Sequence, residues 1–102
     1  METPLLKRLL RAYFHQDFFE VHGGVWETVD AFVADDPEGA SLLPAEIVWV
    51  LDHYPSENEV DLYLDELGCQ YGPQPGDGGY RGWLTEIARR VTEATRAAGR
   101  QP

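Results

Sequence analysis

His15, Asp17, Glu20 and His22 are the densest run of reactive side chains in the chain. Neutral imidazole and carboxylate oxygen are ordinary ligands for zinc or iron, so a His-x-Asp with a second histidine seven residues on could hold a divalent metal. The spacing matches no motif with a defined mechanism, and a structural alternative stands beside it. Here Phe14, Phe18 and Phe19 are core, while His15 and Asp17 hydrogen-bond the chain reversal after the first helix.

Other nucleophile and ligand candidates are thin. Cys69 has no basic residue nearer than Arg81, and an anionic setting raises a thiol pKa, so it reads as buried and inert. Ser41 and Ser56 lack a G-x-S-x-G context. The carboxylate pairs Asp35-Asp36 and Asp65-Glu66 lack calcium-loop spacing. Gly72 to Gly79 is glycine-rich, but no strand precedes it and no lysine accompanies it, which argues against a phosphate cradle. No catalytic residue, metal or cofactor is expected.

Charge is the larger signal. Between Arg11 and Arg81 there is no lysine or arginine, while the same stretch holds fifteen carboxylates from Asp17 to Asp77. All eight basic residues lie in the two terminal segments, and the net charge is −10. A pI near 4.5 argues against contact with nucleic acid, which requires clustered cations. The acidic middle either keeps the protein soluble or steers in a basic partner. In the second case the carboxylates act as a decoy, filling the basic groove a nuclease uses for its substrate.

The elements that must present these residues are mostly helical. With 102 residues, 43% of them hydrophobic, and twelve aromatic rings, one compact domain is expected, because disorder requires few aromatics as well as high charge. A helix is predicted from Pro4 to about Phe14, with Thr3 as N-cap. A second runs from Val25 to about Ala34. Asp36-Pro37 starts a third, which Pro44 breaks, so that Ala45–Tyr54 forms a central helix apolar nearly all round. Ser56 and Glu59 read as a capping box opening a helix with a Val60, Tyr63, Leu64, Leu67 stripe and Gly68 at its end. The last helix spans about Tyr80 to Ala97, with Trp83, Leu84, Ile87 and Val91 inward and the arginines outward, and the tail frays from about residue 98. The expected fold class is all-α, a single domain over residues 1–102 of about five helices in an irregular bundle. No apolar run approaches a membrane span, and the opening Met-Glu-Thr-Pro lacks a leader pattern, so a cytoplasmic location is expected.

The segment Ala12-Tyr13-Phe14-His15-Gln16-Asp17, followed by an aromatic pair and Gly23-Gly24, resembles the opening signature of one group of contact-dependent growth inhibition immunity proteins. Leu67-Gly68-Cys69-Gln70-Tyr71 with Pro73, then Tyr80-Arg81-Gly82-Trp83-Leu84, resembles that group's closing half. Phe18 stands where many relatives carry Trp. The resemblance implies a small helical cytosolic protein that binds the toxic C-terminal domain of a secreted effector, often a nuclease, in a one-to-one heterodimer. It also implies that Tyr13, Phe14, His15, Gln16, Asp17, Gly68, Tyr71, Trp83 and Leu84 are architectural. Charge and presumed exposure suggest Asp35, Asp36, Glu38, Asp52, Glu57, Asp61, Asp65 and Glu66 as the toxin-binding acids, with Tyr54 or Tyr63 as an aromatic anchor. Two other classes stay open: an acidic adaptor for another basic domain, and a metal enzyme using His15, Asp17 and His22.

Overall fold

The computed structural model describes residues 3–14, 23–69, 72, 76 and 78–99. The order is α1 (Pro4–Arg8) running into a π-helical turn (Leu9–Tyr13), then α2 (Val25–Asp35), α3 (Pro37–Ala40), α4 (Leu43–His53), α5 (Glu57–Glu66) and α6 (Gly79–Gly99). Among the described residues there is no strand. Counting α1 with its π turn, five helices and the single turn α3 make an all-α bundle. The long α6 packs against α2, α3, α4 and α5, while α1 lies on α4 and the π turn on α2.

The apolar stripes of these helices meet in one core. Leu6, Leu9, Leu10 and Phe14 come from the first element, Val29 and Phe32 from α2, and Leu43, Ile47 and Val50 from α4. Val60 and Leu64 come from α5, and Trp83, Leu84, Ile87 and Val91 from α6. Phe14 meets Trp83 edge-to-face at 5.2 Å between ring centroids, a geometry worth about 0.5–1.5 kcal/mol beyond the area it buries. This contact ties the end of the first element to the last helix.

Several helix ends follow the local signals. Asp36 caps α3 by accepting the Gly39 amide at 3.0 Å. The Ser56 hydroxyl accepts the Glu59 amide at 3.1 Å, as a capping serine should. Gly68, at φ 92°, supplies the left-handed residue after α5. The break before α4 falls at Ser41-Leu42, which places Pro44 in the first turn, where a missing amide costs little.

Other details differ from expectation, each for a long-range reason. The first element is not one regular α-helix, because the Phe14 amide donates to the Leu9 carbonyl five residues back. The wider π turn lets Tyr13 reach Phe32 at 5.4 Å while Phe14 enters the core. Thr3 stands at the N-cap position but does not cap with its side chain; its hydroxyl pairs instead with the Tyr63 hydroxyl at 2.6 Å. The capping box is one-sided, since the second contact runs from the Ser56 hydroxyl to the Glu59 carboxylate at 3.0 Å. Helix α4 is not buried all round, with Val48 55% exposed and the buried Glu46 on its inner face. Arg81 turns inward rather than out. The last helix extends to Gly99. His15, Gln16, Asp17, His22 and Tyr71 lie outside the described residues, as do the tail beyond Gly99 and most of the Gly72–Gly79 loop.

Candidate partner-binding surface

The acids of the middle segment fall into two groups according to what they already hold. Asp35 accepts the Tyr13 hydroxyl at 2.6 Å, a bond that raises the phenol's pKa because the carboxylate favours the protonated ring. Asp36 accepts the Gly39 amide and pairs with Arg8 at 2.9 Å. Those two donors, the amide first, hold its carboxyl below the usual range. Together the adjacent acids fasten the α2–α3 corner to the first helix.

Glu57 is likewise occupied. Its carboxylate accepts the backbone amides of Tyr80 and Arg81, the orphan donors at the start of α6, and so caps that helix from α5. The close approach accounts for glycine at 79: a Cβ there would lie 2.7 Å from a Glu57 carboxylate oxygen, and φ is +74°.

The second group is exposed. Glu38, Asp52, Asp61, Asp65 and Glu66 all face water, and no hydrogen bond or ion pair joins their carboxylates to the other described residues. Asp61 and Asp65 are one helical turn apart, and Glu66 adjoins them, so the outer side of α5 is a row of charge that no cation among the described residues neutralises. That field reaches Tyr80. Burial raises the Tyr80 phenol pKa, and Cys69, Asp61, Glu57 and Asp65 add to the rise.

The proposed aromatic anchors form a stack. Tyr54 and Tyr63 lie 4.8 Å apart and 26° from parallel, and Trp49 packs on Tyr54 at 6.1 Å and on His53 at 4.2 Å. Tyr63 is fixed at its hydroxyl by Thr3. Tyr54 is fixed at its carbonyl, which Arg81 caps together with the Leu51 carbonyl. A shallow groove beside the stack is lined by Tyr54, Glu59, Leu62, Tyr63 and Glu66.

Sequence reasoning passed over Glu59 and Leu62 as surface residues, and over Glu46 and Arg81 altogether as functional positions in the fold. Glu59 and Leu62 could have been found from the i, i+3, i+4, i+7 stripe they make with Tyr63 and Glu66. For the buried Glu46 no local signal exists. Of the residues carried by the resemblance, Phe14, Trp83 and Leu84 are fully buried. Tyr13 is half-buried, and Gly68 sits against the Arg11 side chain. Among the described residues, no group of three or more His, Cys, Asp or Glu is placed to hold a metal ion, and no helix is long and apolar enough to cross a membrane.

Comparison with known proteins identifies the architecture. Residues 2–91 match the family described as CdiI immunity protein. The chain belongs to the CdiI immunity protein family. A chain of the crystal structure of a CdiA-CT/CdiI complex from Y. kristensenii 33638 is 33% identical and superposes with a TM-score of 0.76, over 87% of this chain and 92% of that one. No curated protein matches. The CdiI match spans the first element through most of α6, so it includes every exposed acid named above as well as the Tyr54–Tyr63 stack. Both halves of the resemblance noted in the sequence fall within it.

Proposed function

We propose that this chain is a cytoplasmic immunity protein that binds and neutralises the cognate C-terminal toxin domain of a contact-dependent growth inhibition effector. It does so in a one-to-one complex, without catalysis or a cofactor. The observation that carries this reading is the CdiI family match across residues 2–91. The complex from Y. kristensenii, whose matching chain is one-third identical, supports a toxin domain as the partner.

The charge distribution supports a cationic partner surface, as on a nuclease. Complementary fields raise association rates and fix register more than they add raw affinity. Glu38, Asp52, Asp61, Asp65 and Glu66 are the acids best suited to such contact, since engaging them breaks no bond among the described residues. Asp35, Asp36 and Glu57 would contribute through their field, because direct contact would compete with Tyr13, Arg8 and the α6 amides. The test is co-expression of this chain with the C-terminal domain of the neighbouring effector gene. A stable complex and rescue of growth support the reading, with loss of nucleic-acid cleavage by the bound toxin. Free toxin activity in the presence of excess chain contradicts it.

A further inference from the structure

We infer that the groove between Tyr54 and α5 is the seat of one arginine side chain of the toxin domain. This inference rests on the reading above and adds to it the place and chemistry of the central contact. Four groove residues, Glu59, Leu62, Tyr63 and Glu66, stand at successive positions of a single α5 stripe. Leu62 lies one turn from each glutamate, whose backbone positions are roughly 10 Å apart along the helix axis, and both glutamate side chains line the groove. Leu62 is 59% exposed, an apolar floor open to water. Behind it the Tyr54–Tyr63 stack forms an aromatic wall.

An arginine satisfies each part of that surface. Its methylene stem covers Leu62, its planar guanidinium lies against the tyrosine rings, and its five donors reach the carboxylates above and below. A lysine offers a charge but no flat face for the stack. An apolar side chain would cover the floor while stripping water from Glu59 and Glu66, which is costly without compensating donors. No arginine or lysine between residues 12 and 80 of this chain competes from within that segment.

The groove is also preorganised. The Thr3 hydroxyl fixes Tyr63, Arg81 fixes the Tyr54 carbonyl, and the Ser56 hydroxyl orients Glu59 through one carboxylate oxygen. Aromatic residues held this way at a partly desolvated point are the usual anchors of protein interfaces.

The test is titration calorimetry of the cognate toxin domain into the intact chain at about 0.15 M salt, comparing wild type with the Leu62→Ser/Glu66→Gln double variant. Both positions are exposed, and thermal melts verify that the variant folds. The variant is expected to bind at least about tenfold more weakly, and Asp30→Asn, an exposed acid on α2, within about twofold of wild type. Changing the toxin's arginines to alanine one at a time should reveal one whose loss adds little to the double variant. Wild type binding with the double variant within twofold of it overturns the groove alone, as does full additivity for every toxin arginine. A wild-type chain that fails to bind overturns the immunity reading together with the groove.

Discussion

The Glu46 carboxylate on α4 accepts the Leu6 backbone amide at 2.9 Å. The same group accepts the Leu5 amide at 3.1 Å, and only 6% of the residue is exposed. A buried acid on one helix thus does for the start of α1 what Thr3 was expected to do, with the helix dipole favouring the negative charge. The Thr3 hydroxyl is thereby left for Tyr63, so the cap also positions one wall of the groove.

Removing this cap should weaken the whole fold. Glu46→Ala leaves two buried amides without an acceptor and is expected to cost about 1–3 kcal/mol. Glu46→Gln keeps one acceptor oxygen and should recover part of that. Urea unfolding of the three proteins provides the comparison, and equal midpoints would show that water replaces the carboxylate.

Arg81 should behave as a stability residue despite its charge. Its guanidinium bonds the Leu51 and Tyr54 carbonyls at the end of α4, where cations suit the helix terminus. Arg81→Ala is expected to lower stability by about 2 kcal/mol, and Arg81→Lys by less, since a lysine reaches one carbonyl but not both. Thermal or urea denaturation measures both values.

How far the sequence carried follows from where each signal lies. Asp36-Pro37, Ser56 with Glu59, and Gly68 act on backbone groups within a few residues, and the helix ends they predict are the observed ones. Glu46 and Arg81 act across about 40 and 30 positions, so neither has a local mark. The π turn is similar, because the pattern at Leu9–Tyr13 is compatible with a regular helix until Phe14 must meet Trp83 and Tyr13 must meet Asp35. The acidic row was legible from the position of the acids, with Asp61, Asp65 and Glu66 opposite the apolar stripe of α5 in a segment without lysine or arginine. Which acids are free was not, since Asp35, Asp36 and Glu57 differ from Asp61 and Asp65 only in what the fold brings to them.

Acid should destabilise the protein through identifiable carboxyls. Arg89 and then Arg90 hold Glu86 at about 2, and the Gly39 amide and Arg8 lower Asp36, against about 4 in an unfolded chain. With the folded values below the unfolded ones, the unfolded state binds more protons, so this stabilisation is present above pH ~5 and declines as pH falls towards ~2. Glu86 lies at the surface, so its share is small and screened by salt. The expected outcome is a melting temperature that falls on acidification and falls less steeply for Glu86→Gln. Parallel pH profiles for the two proteins would remove Glu86 from the explanation.

The outer row of α5 should govern how fast the partner arrives. The double charge reversal Asp61→Lys/Asp65→Lys breaks no bond among the described residues, so melting should change little while association with the toxin domain slows by about tenfold or more at low salt. Stopped-flow or surface-based association kinetics across ionic strength reads this directly, with the variant showing the shallower salt dependence.

The most direct test of the central claim is the affinity of the intact chain for its cognate toxin domain, measured by titration calorimetry over a range of salt concentrations alongside the toxin's activity. A one-to-one complex that weakens steadily with added salt, and in which the toxin is inactive, is the predicted result. A complex indifferent both to salt and to the Asp61→Lys/Asp65→Lys change, or a toxin that stays active at saturating chain, would contradict it.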